Sequence, residues 1–193
     1  MRLLSTKTLG VIGIIGAPWL FIDFINNGLY DRYMLTSESG IRNFLFTTGW
    51  ICSVLALYQL KAMGTKRWQK IVIIIQLVLL CLSNTWNIWE IFDPHSPSPV
   101  YFIIGNIWPF MGCFMIIPGI AILKARKLKG WKRYIPLLAG LCTPVSMAIY
   151  LMFNGSLGAL FINGLYSAII FILLGLSLVI DNYEPAISRK ATF

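Results

Sequence analysis

From Tyr134 to Ile180 the chain reads YIPLLAGLCTPVSMAIYLMFNGSLGALFINGLYSAIIFILLGLSLVI, forty-seven positions without a charged side chain, bounded by Arg133 and Asp181. A helix needs about 20 mainly apolar residues to cross the hydrocarbon of a bilayer, so this run holds two spans. Asn154-Gly155-Ser156 near its middle is tight-turn sequence. It divides the run into spans at about 134–153 and 157–180. Backbone polar groups find no water in lipid, so each span must satisfy its own hydrogen bonds as a helix. A β-barrel would alternate apolar and polar residues, and Ile71-Val72-Ile73-Ile74-Ile75 does not.

Working outward, four more stretches qualify, at about 9–27, 43–60, 71–91 and 100–123. The expected fold is all-α: one integral membrane bundle of six transmembrane helices occupying residues 1–193 as a single domain. The first span has basic residues before it, as a signal peptide does, but no small-residue cleavage site follows before Tyr30, so it is expected to be retained. Composition agrees. The chain is 58% hydrophobic and 12% charged, and a soluble domain carries about 25% charge. A cytosolic globular domain, a disordered tail and a coiled coil are excluded on that ground.

The formal net charge of +9, from sixteen Lys+Arg and seven Asp+Glu, is distributed unevenly. With six spans, fourteen of the sixteen basic residues fall on the side of the N-terminus, the second and fourth loops and the tail. Basic loops stay cytoplasmic, so both termini are expected inside. The same placement assigns the basic residues to membrane lipids as partners and argues against nucleic acid. The acids lean outward: Asp23, Asp31, Glu38, Glu90 and Asp93 lie at or toward the opposite side.

Glycines Gly10, Gly13 and Gly16 recur at helical spacing in the first span, a pattern that lets membrane helices approach closely. Pro18, Pro109, Pro118 and Pro144 sit within spans, where a missing N–H kinks a helix. Phe24–Tyr30 and Phe161–Tyr166 look alike, but in so narrow a composition the match is read as chance rather than as an inverted repeat.

Polar residues inside the spans gather toward one end. Ser83, Asn87 and Glu90 share one face of the third span, crowded by Asn84, Thr85, Trp86 and Trp89. Asp23 lies on a face with Trp19 and Asn26 or Asn27. Asn106 opens the fourth span, Thr143 and Ser146 lie in the fifth, and Asn163, Tyr166 and Ser167 in the sixth. Polar side chains at membrane depth face each other or water. They predict a polar, aromatic-lined pocket open to the outside, with Asp23, Asn27, Ser83, Asn84, Trp86, Asn87, Glu90, Asn106, Asn163 and Tyr166 as its ligand-binding residues. Asp23 and Glu90 are the acids expected within the bilayer, and an intramembrane acid marks a functional site by default. The competing reading places both in the headgroup zone, and makes Trp86 and Trp89 interfacial anchors.

No cofactor or metal is expected. His95 is the only histidine and lies in the Pro-rich turn Asp93–Pro99, so haem and multi-histidine metal sites lack ligands. Cys52, Cys81, Cys113 and Cys142 fall one per span with no C-x-x-C, and are expected to be buried packing residues. No lysine lies inside a span to carry a Schiff base.

Trp108-Pro109, Gly119 and Leu128-Lys129-Gly130-Trp131-Lys132-Arg133-Tyr134-Ile135-Pro136-Leu137 together resemble a pattern of small polytopic membrane proteins of bacteria. The resemblance covers under a fifth of the chain and implies a bacterial cytoplasmic membrane. It carries no activity. The sequence therefore points to binding or transport of a small molecule or lipid, with an accessory subunit, or an intramembrane lipid enzyme using Asp23 and Glu90 as acid and base, as alternatives.

Overall fold

The computed structural model describes residues 4–29 and 36–180. Among them are six helical segments long and apolar enough to cross a membrane: Thr6–Asn26, Ser37–Gln59, Arg67–Phe92, Pro99–Ala125, Ile135–Met152 and Leu157–Val179. The described residues contain no strand. Each expected span is found, with its ends shifted by a few residues. The largest shift is in the second span, whose helix begins at Ser37 rather than near Asn43. Arg2, Asp31, Arg32, Asp181, Glu184, Arg189 and Lys190, used in the charge partition, lie outside the described residues.

Two of the six segments are broken. The first runs as α1 (Thr6–Gly16) and α2 (Pro18–Leu29), and the fourth as α5 (Pro99–Gly105), α6 (Ile107–Phe114) and α7 (Ile116–Ala125). A proline cannot donate to the carbonyl four residues back and its ring crowds that carbonyl. The breaks at Asn106 and Met115 lie three residues ahead of Pro109 and Pro118, where that effect acts. Pro144 leaves its helix unbroken. The remaining spans are α3 (Ser37–Gln59), α4 (Arg67–Phe92), α8 (Ile135–Met152) and α9 (Leu157–Val179). The turn before α9 is as the sequence predicts: Asn154 and Gly155 both take positive φ, 47° and 65°, and Ser156 Oγ caps the new helix by accepting from Ala159 N.

Each span packs on its neighbours in sequence, and the sixth closes on the first, so the six form a ring in chain order. The tightest joints use glycine. A Cβ on Gly10 would lie 2.9 Å from Gly175 O, and one on Gly16 would lie 2.9 Å from Gly49 Cα, so α1 meets both α9 and α3 backbone to backbone. Inside the ring, Phe46 and Trp50 of α3 meet Phe171 of α9 edge to face, with centroids 4.9 and 4.8 Å apart. The outer surface is apolar: Ile74, Val78, Leu82, Phe110, Leu151, Phe161 and Ile169 are exposed. A water-soluble fold rarely shows so continuous an apolar surface, and such a surface suits helices long and apolar enough to cross a membrane. Cys142 is buried as expected, but Cys81 and Cys113 lie on this outer surface instead, because their helix positions face away from the ring.

Candidate functional site

A cavity of about 300 Å³ lies within the ring, at the end remote from Lys61, Lys66, Arg67 and the 124–133 basic segment. Five spans line it: Leu20, Asp23 and Phe24 of α2, Ser39 and Asn43 of α3, Trp86 of α4, Gly105, Trp108 and Pro109 of the broken fourth span, and Leu160 of α9. A separate small apolar pocket shares Leu20, Phe24 and Trp108 with it and is lined further by Phe46, Trp50, Phe171, Cys142, Thr143, Ser146 and Ser167.

One wall is built around Asp23, which is 4% exposed. Ser39 Oγ and Asn43 Nδ2 donate to its Oδ2 at 3.2 and 3.3 Å, and Arg42 meets its Oδ1 at 3.5 Å. Arg42 is itself shared with Glu38 at 2.5 Å. These three α3 residues face Asp23 because the helix starts early: Thr36 Oγ1 caps it by accepting from Ser39 N. The opposite wall is aromatic. Trp86 packs on Tyr101 at a centroid distance of 5.6 Å, and its buried indole N–H has no partner among the described residues. A Cβ on Gly105 would lie 2.9 Å from Trp86 Nε1, so glycine there makes room for the indole.

Behind the Asp23 wall, α3 and α4 form a polar seam. Glu90 and Asn87 are 0% exposed. Asn87 Nδ2 donates to Thr47 Oγ1 at 3.1 Å and to Asn84 Oδ1 at 3.2 Å, and Asn84 Nδ2 donates to Thr48 Oγ1 at 3.2 Å. Glu90 lies within electrostatic reach of Asp23 with Ser39 beside it. Both Glu90 oxygens lack a hydrogen-bond partner among the described residues. Ser83 Oγ and Asn87 Oδ1 likewise have no partner among the described residues.

The sequence-derived set thus divides. Asp23 and Trp86 line the cavity, while Ser83, Asn84, Asn87 and Glu90 stand in the adjoining seam. Neither acid faces the outer surface. Asn163 is buried in α9 and donates to Ser146 O, and Tyr166 bonds Leu138 O, so both tie α9 to α8. Asn106 is exposed and donates to Phe102 O, closing the end of its own helix. Asn27 belongs to α2, but its side chain lies outside the described residues, as does much of the Phe24–Tyr30 stretch. Ser39, Arg42, Asn43, Thr47 and Trp108 were not foreseen. Ser39, Asn43 and Thr47 recur every four residues, a signal that was available.

Fold and site together define an all-helical bundle, six of whose helices are long and apolar enough to span a membrane, with a cavity lined from five of them. Comparison with protein-family models, with curated proteins and with solved structures found no match.

Proposed function

We propose that the chain is a polytopic protein of the bacterial cytoplasmic membrane, both termini inside, whose outward-open cavity binds or transports a small molecule, or a lipid by its headgroup. The orientation is supported by the basic loops at the end remote from the cavity. Bacterial origin is supported by the Trp108–Leu137 resemblance.

The cavity carries the functional reading. At about 300 Å³ it is at the small end of ligand pockets, roughly 300–1,000 Å³. It combines apolar and aromatic walls with a few fixed polar groups, the usual composition of such sites. The acid–base enzyme reading fits less well, because Asp23 is held by three donors and Glu90 is not on the lining. An accessory subunit would need no fixed polar wall around an axial space.

The test is mass spectrometry of small molecules that co-purify with the wild-type chain and with a cavity-filling Leu160→Trp variant. A compound retained by the first and lost from the second supports the reading. The same compounds with both, or none with either across several purifications, sinks it.

A further inference from the structure

The seam behind the cavity has spent its donors. Asn43 Nδ2 serves Asp23 and Ser39, Asn87 Nδ2 serves Thr47 and Asn84, and Ser39 serves Asp23. Tyr101, within electrostatic reach of Glu90, gives its proton to Pro94 O at 3.2 Å. Acceptors remain: both Glu90 oxygens and Asn87 Oδ1, in side chains that are wholly buried and three residues apart on one face of α4. Buried acceptors in surplus are costly unless something positive meets them.

Charge sets the valence. Arg42 compensates Asp23, and Glu38 is exposed to solvent, so among the described residues an ionised Glu90 would leave one negative charge inside the seam. Among the described residues no three His, Cys, Asp or Glu side chains come together to hold a multivalent or soft metal. Space sets the size. A Cβ on Gly40 would lie 2.9 Å from Ile91 N and 3.0 Å from Asn87 O, so α3 and α4 are closely apposed here. A proton would satisfy one Glu90 oxygen and, through it, one further acceptor. A hard cation gathers every oxygen at once.

We propose that Glu90 and Asn87 Oδ1 hold one small alkali cation, sodium, between α3 and α4. The site is distinct from the cavity and does not depend on what the cavity holds. Because Ser39 and Asp23 separate the two, bound sodium fixes the wall on which a cavity ligand would rest.

The experiment uses the full chain purified in detergent. Radioactive sodium binding is measured by scintillation proximity, and thermal unfolding is compared in sodium chloride and choline chloride at equal ionic strength. Saturable binding and a higher Tm in sodium are expected. Glu90→Gln, nearly isosteric, should weaken sodium binding by more than about tenfold and abolish the Tm difference. Asn87→Asp, which adds negative charge at the same place, should tighten binding. Wild-type protein that binds no sodium and unfolds alike in both salts overturns the proposal. So does stability that follows pH with no response to sodium, which would make Glu90 a proton site. Leu160→Trp, on α9, fills the cavity from the side away from α3 and α4 and should leave sodium binding intact, so the two proposals can fail separately.

Discussion

Ser39 Oγ donates to Asp23 Oδ2 at 3.2 Å, joining two membrane spans across sixteen residues of chain. The bond turns an acid near the end of one span into the centre of a polar wall, with Asn43 and Arg42 completing it.

Removing that centre should be expensive. Asp23→Ala leaves Arg42, Ser39 and Asn43 without their shared acceptor, and breaking a buried ion pair on one side costs about 3–5 kcal/mol. Arg42 keeps Glu38 and Ser39 keeps Asn43, so the lower end of that range is expected. Glu38→Ala removes an exposed partner and should cost less than about 1 kcal/mol. Unfolding in a denaturing-detergent titration measures both. Equal effects from the two variants would show that Asp23 does not organise the wall.

The six spans and the Asn154 turn were legible because length, apolarity and turn chemistry are local properties. The site was half legible. Ser83, Asn87 and Glu90 declare a polar face on α4 by their spacing, yet their partners on α3 went unread. A charge-free window ends at Arg42, although the helix continues back to Ser37, because Asp23 and Glu38 compensate that arginine. Asn106 shows the converse. Its position at a span opening suggests a pocket residue, but the break imposed by Pro109 makes it a helix-end cap. Which polar side chains meet is set by the order of the ring, and no local pattern states that order.

The glycine joints give a second prediction. A side chain at Gly16 would press on Leu45 O and Gly49 Cα, both backbone atoms that cannot step aside. Gly16→Val should therefore destabilise the bundle by about 3 kcal/mol or more, above the usual 1–3 for overpacking, because two helices must separate. Gly158, where a Cβ would meet Ser156 Oγ at an ordinary 3.9 Å, is the control. Gly158→Ala should be neutral or stabilise by up to about 1 kcal/mol. Comparable losses at both positions would mean that the α1 contacts are loose.

Topology is directly measurable. In a background with all four cysteines replaced by serine or alanine, a single cysteine at His95 or Asn154 should react with a membrane-impermeant thiol reagent applied to intact cells. A cysteine at Lys66 or Lys127 should react only after permeabilisation, since these residues lie at the other end of the ring. The opposite labelling pattern would reverse the orientation proposed for the cavity.

The indole of Trp86 offers the sharpest test of the cavity. Its N–H has no partner among the described residues, while its ring is held by Tyr101 and its edge is fitted to Gly105. Trp86→Phe removes the donor and keeps an aromatic ring on Tyr101. If a cavity ligand accepts from that N–H, affinity for the compound identified by co-purification should fall about fivefold to tenfold, the worth of roughly one neutral hydrogen bond. Thermal stability without ligand should change little, because no protein acceptor is stranded by the substitution. Gly105→Ala probes the same contact from the other side: its methyl group would lie 2.9 Å from Nε1 and must push the ring aside. Equilibrium binding and Tm measured together separate the outcomes. A Trp86→Phe protein that loses stability but keeps its affinity would make the indole a packing group and leave the cavity's recognition to the Asp23 wall.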